Sequence, residues 1–160
     1  MQTFLLENFT SNNIKIQLDA LKKEEVIREL LLVSNGHRNP DDRDELLQAL
    51  LEREKLMSTG VGNGVAIPHC KSSFSPEFTL ALGIHHSGID FNSIDNESVR
   101  IIFLLTGPED NPTGHIRLLS RISRIISPQE TRKRLLGLNN KEEIFNFLHN
   151  EEQRILNKGS

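Results

Sequence analysis

The sequence predicts a layered α/β fold, and three observations carry that expectation. Apolar residues switch along the chain between the two-residue period of strands and the helical period, so strands and helices interleave. Ile101–Leu105 is a continuous apolar run, the pattern of a strand buried on both faces. At 160 residues, without an internal repeat or a linker rich in Pro, Gly or Ser, the chain is most economically one domain, 1–160, with its core over about residues 3–156.

The elements follow in order. NIKIQL, residues 13–18, alternates in the manner of a half-buried strand. Val26, Ile27, Leu30, Leu31 and Val33 then recur at helical spacing, with Asp19 the best cap candidate before them and Gly36 a C-terminal stop. Asn39-Pro40-Asp41-Asp42 opens a second helix, since a cap residue, an early proline and an acidic first turn all suit an N-terminus. Its stripe is Leu46, Leu47, Leu50 and Leu51, and it runs out near Arg53-Glu54. Beyond a glycine-rich loop, Val65–Ile67 reads as a short strand, and Phe78, Leu80, Leu82 and Ile84 alternate with small residues as another. Residues 85–98 read as a loop before the strand at 101–105. Ile116–Ile126 is a strongly amphipathic helix, with Leu118, Leu119, Ile122, Ile125 and Ile126 on one face. Ser127-Pro128-Gln129-Glu130 has the form of a capping box for a short helix that stops at Gly137. The last helix covers Glu142–Leu156, buried through Ile144, Phe145 and Leu148.

Composition narrows the function classes. The 36% hydrophobic and 26% charged content is ordinary for a soluble globular protein. A net charge of −3 argues against a general nucleic-acid binder. The longest apolar runs are far too short to span a bilayer, so no direct membrane insertion is expected. MQTFLLENFT lacks a basic region followed by a long apolar stretch, so no secretory leader is expected. The one cysteine, Cys70, has no internal partner for a disulfide. Together these features favour the reducing cytoplasm.

TGVGNGVAIPHCK, residues 59–71, holds the chemistry. Gly60, Gly62, Asn63 and Gly64 make the backbone permissive ahead of His69, and Pro68 sets the chain direction immediately before it. Two readings fit these residues. One is a tight turn between strands. In the other, backbone N–H groups unobstructed by Cβ atoms receive phosphoryl oxygens while the His69 imidazole, nucleophilic near neutral pH, receives the phosphorus. Cys70 is a poor nucleophile for a histidine base beside it, because adjacent side chains on an extended segment point apart. His85-His86, Asp90 and His37 lack the spacing of a metal motif, so neither a metal nor a cofactor is expected. Arg117, Arg121 and Arg124 lie opposite the apolar face of their helix, as a solvated stripe or a docking surface for an acidic partner.

LLEREKLMSTGVGNGVAIPHCK, with DFNSIDNESVRIIFLLTGPEDNPTGHIRLLSRISRI downstream, resembles the type-2 enzyme IIA domains of the bacterial phosphotransferase system. These are the fructose/mannitol and nitrogen-regulatory class. The resemblance covers nearly the whole chain and is weakest before about residue 20 and after about residue 140. It implies an α/β sandwich with a mixed parallel and antiparallel sheet and helices on both faces. It also implies a histidine phosphoryl carrier in which His69 accepts phosphate at Nε2 from HPr or its nitrogen paralogue. Arg53 matches the arginine of the family's ERE motif and His115 its second histidine, both stabilising the phosphoryl group. Pro112-Thr113-Gly114 departs from the acidic or polar residues expected ahead of that histidine. The STG-x-GNG-x-AIPH wording stands closer to the nitrogen type, which acts by binding target proteins according to its phosphorylation state. The sugar branch would instead hand phosphate to a cysteine on an enzyme IIB. A non-catalytic binding module on the same fold is the contrasting class, and the intact Arg53, His69 and His115 set argues against it.

Overall fold

The computed structural model describes residues 9–34 and 39–158. Its centre is the antiparallel pair β5 (Thr79–Ile89) and β6 (Val99–Gly107). β1 (Ile14–Lys15) joins β5 in parallel. Two short strands lie end to end along the other edge of β6, both parallel to it. β3 (Val65–Ala66) pairs at Ile101 and Ile102, and β4 (His69–Lys71) pairs from Leu105 to Gly107. β2 (Gly60–Gly62) covers β3 in antiparallel fashion. The sheet is therefore mixed, in the order β1-β5-β6-β3-β2 with β4 on β6.

Side-chain alternation along β6 divides the interior into two cores. Ile102 and Leu104 pack with Leu30 of α1 (Lys23–Val33) and with Leu46 and Leu50 of α2 (Pro40–Leu56). Ile101, Phe103 and Leu105 point the other way. They meet Ile122 and Ile125 of α3 (Pro112–Ile126), Leu135 of α4 (Gln129–Leu136) and Ile144 and Leu148 of α5 (Lys141–Lys158). Helices thus cover both faces, and the continuous apolar run at 101–105 follows from a strand buried on each side.

Caps explain two helix starts that matter for the site. Asn39 Oδ1 accepts from the Asp41 N–H at 2.9 Å, with Pro40 as the first helical residue. Asn111 Oδ1 accepts from the Gly114 N–H at 3.0 Å and starts α3 about two turns before Leu118. A Cβ on Gly114 would come within 2.7 Å of the Asn111 amide, so the Pro-Thr-Gly wording belongs to this cap.

Several sequence expectations are corrected. The strand at 13–18 is cut to Ile14–Lys15: a 3-10 turn, Ser11–Asn13, takes its first residue, and the chain bends away after Lys15. Lys22, not Asp19, precedes α1, and the Asp19 N–H instead donates to Glu29 at 3.2 Å. Gly36 and His37 lie outside the described residues, as do residues 3–8 of the expected core. α2 continues past Arg53-Glu54 to Leu56. β5 continues to Ile89, where the loop was expected to have begun, through a register shift with Gly88 at φ +85°. The capping box at 127–130 does not form: Ser127 keeps helical angles at the end of α3, and Pro128 starts α4 without a side-chain cap.

Candidate functional site

β2 flanks only β3, so β4 forms an open stretch of sheet edge, and that stretch carries His69. Pro68 leads into it, its carbonyl accepting from the Leu105 N–H at 2.9 Å. His69 is half-buried, and its Nδ1 lies 2.7 Å from the Ile67 carbonyl oxygen. A carbonyl only accepts, so Nδ1 carries the proton and Nε2 keeps the lone pair. Burial lowers the pKa of His69. The Ile67 bond opposes that shift, and the Arg53 guanidinium adds to it. The neutral, nucleophilic ring is therefore favoured near neutral pH.

His115 stands in the first turn of α3 with its ring centroid 5.4 Å from that of His69, tilted by 49°. It is only 3% exposed, and neither ring nitrogen has a hydrogen-bond partner among the described residues. Gly107 makes room for the Phe78 ring that packs beside it: a Cβ there would lie 2.4 Å from that ring and only just touch His115 Nδ1, at 3.4 Å. Burial, followed by the charges of His69 and Lys71, pushes the His115 pKa down from 6.5 to about 4.

That shift has a stability consequence. Between these two values the unfolded chain binds the proton that the folded ring refuses, so stability rises with pH. His115's contribution is fully present above 6.5 and is lost as pH falls toward about 4. Urea unfolding measured across that window should show the decline, and His115→Gln should flatten it. An unchanged slope would remove His115 as its source.

Arg53 lies in the last turn of α2, and its Nη1 donates to the Met57 carbonyl at 2.9 Å as the chain leaves the helix. Glu54 beside it is buried and was missed in the sequence, although it continues the Leu46, Leu50 stripe at helical spacing. Its carboxylate accepts from the Thr59 N–H at 2.9 Å, the Thr59 hydroxyl at 2.6 Å and Lys23 Nζ at 3.3 Å. Ser58 donates to the Phe91 carbonyl and accepts from the Gly60 N–H. The Ser-Thr pair thus fixes where the chain goes after Arg53. Glu54→Gln, an amide with one acceptor oxygen for two Thr59 donors and no charge for Lys23, should cost about 1–2 kcal/mol in urea unfolding. A wild-type midpoint would contradict this role.

The structure sets the turn of the glycine loop apart from His69. Gly62, Asn63 and Gly64 have φ of 96°, 59° and 79° and form the β2–β3 hairpin turn. Val65 pairs with Ile101, whereas His69 pairs with Leu105. The turn is therefore roughly 13 Å from His69 along β6, at strand rise per residue. The Asn63 N–H donates to Asp95 Oδ2 at 2.9 Å, so the turn faces a carboxylate that would repel phosphate. Gly60 serves close packing instead, since a Cβ there would meet Ser93 Oγ at 2.2 Å. The tight-turn reading accounts for Gly62, Asn63 and Gly64, and packing against Ser93 accounts for Gly60.

The remaining candidates separate. Cys70 points into the α1/α2 core, and burial pushes its thiol up to about 12. His85 and His86 each bond a backbone carbonyl, Ala20 at 2.8 Å and Ile16 at 2.9 Å. No group of His, Cys, Asp and Glu able to hold a metal occurs among the described residues. Arg117 and Arg124 are exposed, but Arg121 pairs with buried Glu152 at 3.4 Å, so the stripe is not uniformly solvated. No helix among the described residues is long and apolar enough to cross a membrane. Leu56, Met57, Phe74 and Ile116 are exposed apolar residues close in sequence to Arg53, His69 and His115.

This layered architecture has counterparts among solved structures. The nitrogen regulatory protein IIA-Ntr from Neisseria meningitidis superposes with a TM-score of 0.78 at 27% identity, covering 86% of this chain and 94% of that one. IIA mannitol from Escherichia coli shares the fold, with a TM-score of 0.73 at 23% identity over 88% and 99% of the two chains. In sequence, the nitrogen regulatory protein of Escherichia coli K12 is 30% identical over 159 residues, 89% of this chain and 96% of the relative. The fructose-specific EIIA component of Haloferax volcanii is 33% identical over 84% of this chain and 88% of its own length. The fructose-specific EIIABC component of Bacillus subtilis is 30% identical over 93% of this chain, which spans only 24% of that relative. Residues 7–151 match the family described as "Phosphoenolpyruvate-dependent sugar phosphotransferase system, EIIA 2". The chain belongs to this family, the type-2 enzyme IIA phosphotransferases.

Proposed function

We propose that this chain is a cytoplasmic phosphoryl carrier whose His69 accepts a phosphoryl group at Nε2 from a phosphohistidine on HPr or its nitrogen-type paralogue. The observation that carries this reading is the histidine pair at an open sheet edge. One ring is held through Nδ1 by the Ile67 carbonyl, and the other is buried beside it with both nitrogens unpartnered among the described residues.

In the transfer, the Nε2–P bond forms as the donor's N–P bond breaks, and the bonding pair stays on the donor nitrogen. A donor ring protonated at its other nitrogen leaves as neutral imidazole. His69, still protonated at Nδ1, takes up that positive charge, which strengthens its bond to the Ile67 carbonyl. Neutral His115 offers an N–H to a phosphoryl oxygen in a water-poor setting, and Arg53 supplies a permanent positive charge. The exposed Leu56, Met57, Phe74 and Ile116 give an arriving donor protein apolar surface to dock on.

The nitrogen-regulatory role is the preferred branch, supported by likeness to nitrogen regulatory proteins over nearly their full lengths. The fructose-specific relatives favour the alternative, in which phosphate passes on to a cysteine of an enzyme IIB. Incubation with phosphoenolpyruvate, enzyme I and each donor should produce an acid-labile mass increase mapping to His69. Faster labelling by the nitrogen paralogue, without onward transfer to an enzyme IIB, supports the regulatory branch. Label mapping to Cys70 would overturn the carrier assignment.

A further inference from the structure

We infer that Lys71 is a third phosphoryl-stabilising residue, its ammonium reaching the group as it arrives at His69. This rests on the carrier reading above. His69 and Lys71 are two residues apart on β4, so both side chains leave the same face of the sheet. Lys71 pairs in register with Gly107, and a Cβ built on Gly107 would lie 3.4 Å from His115 Nδ1, so that position borders the His115 ring. The stem of Lys71 therefore begins beside both imidazoles. Its charge is felt by both, lowering the pKa of His69 and of His115. Lys71 itself is exposed and has no ion pair among the described residues, whereas Lys15, Lys23, Arg121 and Arg154 each pair with a glutamate.

A cation placed beside a nucleophile and not committed to a carboxylate does two things in sequence. Before transfer it favours the neutral His69 ring, which is the form that attacks. Once the phosphoryl group arrives, the same charge faces its anionic oxygens. Arg53 is tied to the Met57 carbonyl, and His115 is packed against Phe78. A lysine on a flexible stem has three rotatable donors, so it can follow the group from the donor nitrogen to Nε2.

Lys71→Gln and Lys71→Arg test this by two readouts. One is the rate of labelling from phosphorylated HPr or its paralogue. The other is NMR titration of the His69 and His115 rings in the unphosphorylated protein. Lys71→Gln should slow labelling roughly tenfold, as loss of a charged donor does, and raise both titration midpoints; Lys71→Arg should restore most of both. Wild-type labelling by Lys71→Gln would overturn the inference. So would slow labelling with unmoved midpoints, the signature of a merely structural effect. Failure of the wild-type protein to label from either donor would overturn the carrier reading and this inference together.

Discussion

His69→Ala is expected to take up no phosphate, however long it is incubated with phosphoenolpyruvate, enzyme I and either donor. The covalent bond needs a lone pair on an accessible atom, and the neighbourhood offers no substitute. The Cys70 thiol faces the α1/α2 core, and with its pKa pushed up to about 12 it has almost no thiolate at neutral pH. His115 is 3% exposed, too deep for a donor protein's phosphohistidine to meet it in line. His69 itself sits half-buried on a short edge strand, so its removal should leave both cores intact. Intact-protein mass spectrometry under alkaline conditions, where phosphohistidine survives, is the measurement. Label remaining in His69→Ala would refute the assignment outright.

His115→Ala should slow transfer without abolishing it. The ring forms no bond to phosphorus; it contributes an N–H to an anionic oxygen. Losing such a donor costs about 1.5–3 kcal/mol, or roughly ten- to a hundredfold in rate. Phosphoprotein should therefore still accumulate on long incubation while onward transfer lags. Alanine also leaves a void against Phe78 and Gly107, so His115→Asn, which keeps an N–H donor, is the companion variant. If the hydrogen bond matters, Asn should recover more rate than Ala at comparable stability. Rapid-quench single turnovers read this directly. A wild-type rate in His115→Ala would remove His115 from the site.

Those two histidines came to notice by different routes from the rest of the fold. β6 was legible because burial on both faces writes an uninterrupted apolar run, and α3 because one face alone is buried. Asn39-Pro40 announced α2 through the chemistry of its cap. β2 and β4 were not legible: three-residue strands carry no period, and β3 and β6 supply their pairing. The far end of β5 was hidden by His85 and His86, polar residues accommodated there by backbone carbonyls from the β1–α1 connection. Glycine-rich wording is the same for a hairpin and for a phosphate cradle, and only the register along β6 separates them. Arg53, His69 and His115 are far apart in sequence, so the site proposed for them was legible only through the family resemblance. Glu54 could have been found as a carboxylate on a leucine stripe. Lys71 could be found only once β4 was known to be a strand.

The central claim is that the proton held by the Ile67 carbonyl decides which nitrogen of His69 receives phosphorus. Nitrogen–phosphorus correlation NMR of the phosphorylated, ¹⁵N-histidine-labelled protein tests it most directly. Phosphorus coupled to Nε2 of His69, with Nδ1 still protonated, is the expected result. Coupling to Nδ1 of His69, or to either nitrogen of His115, would contradict it.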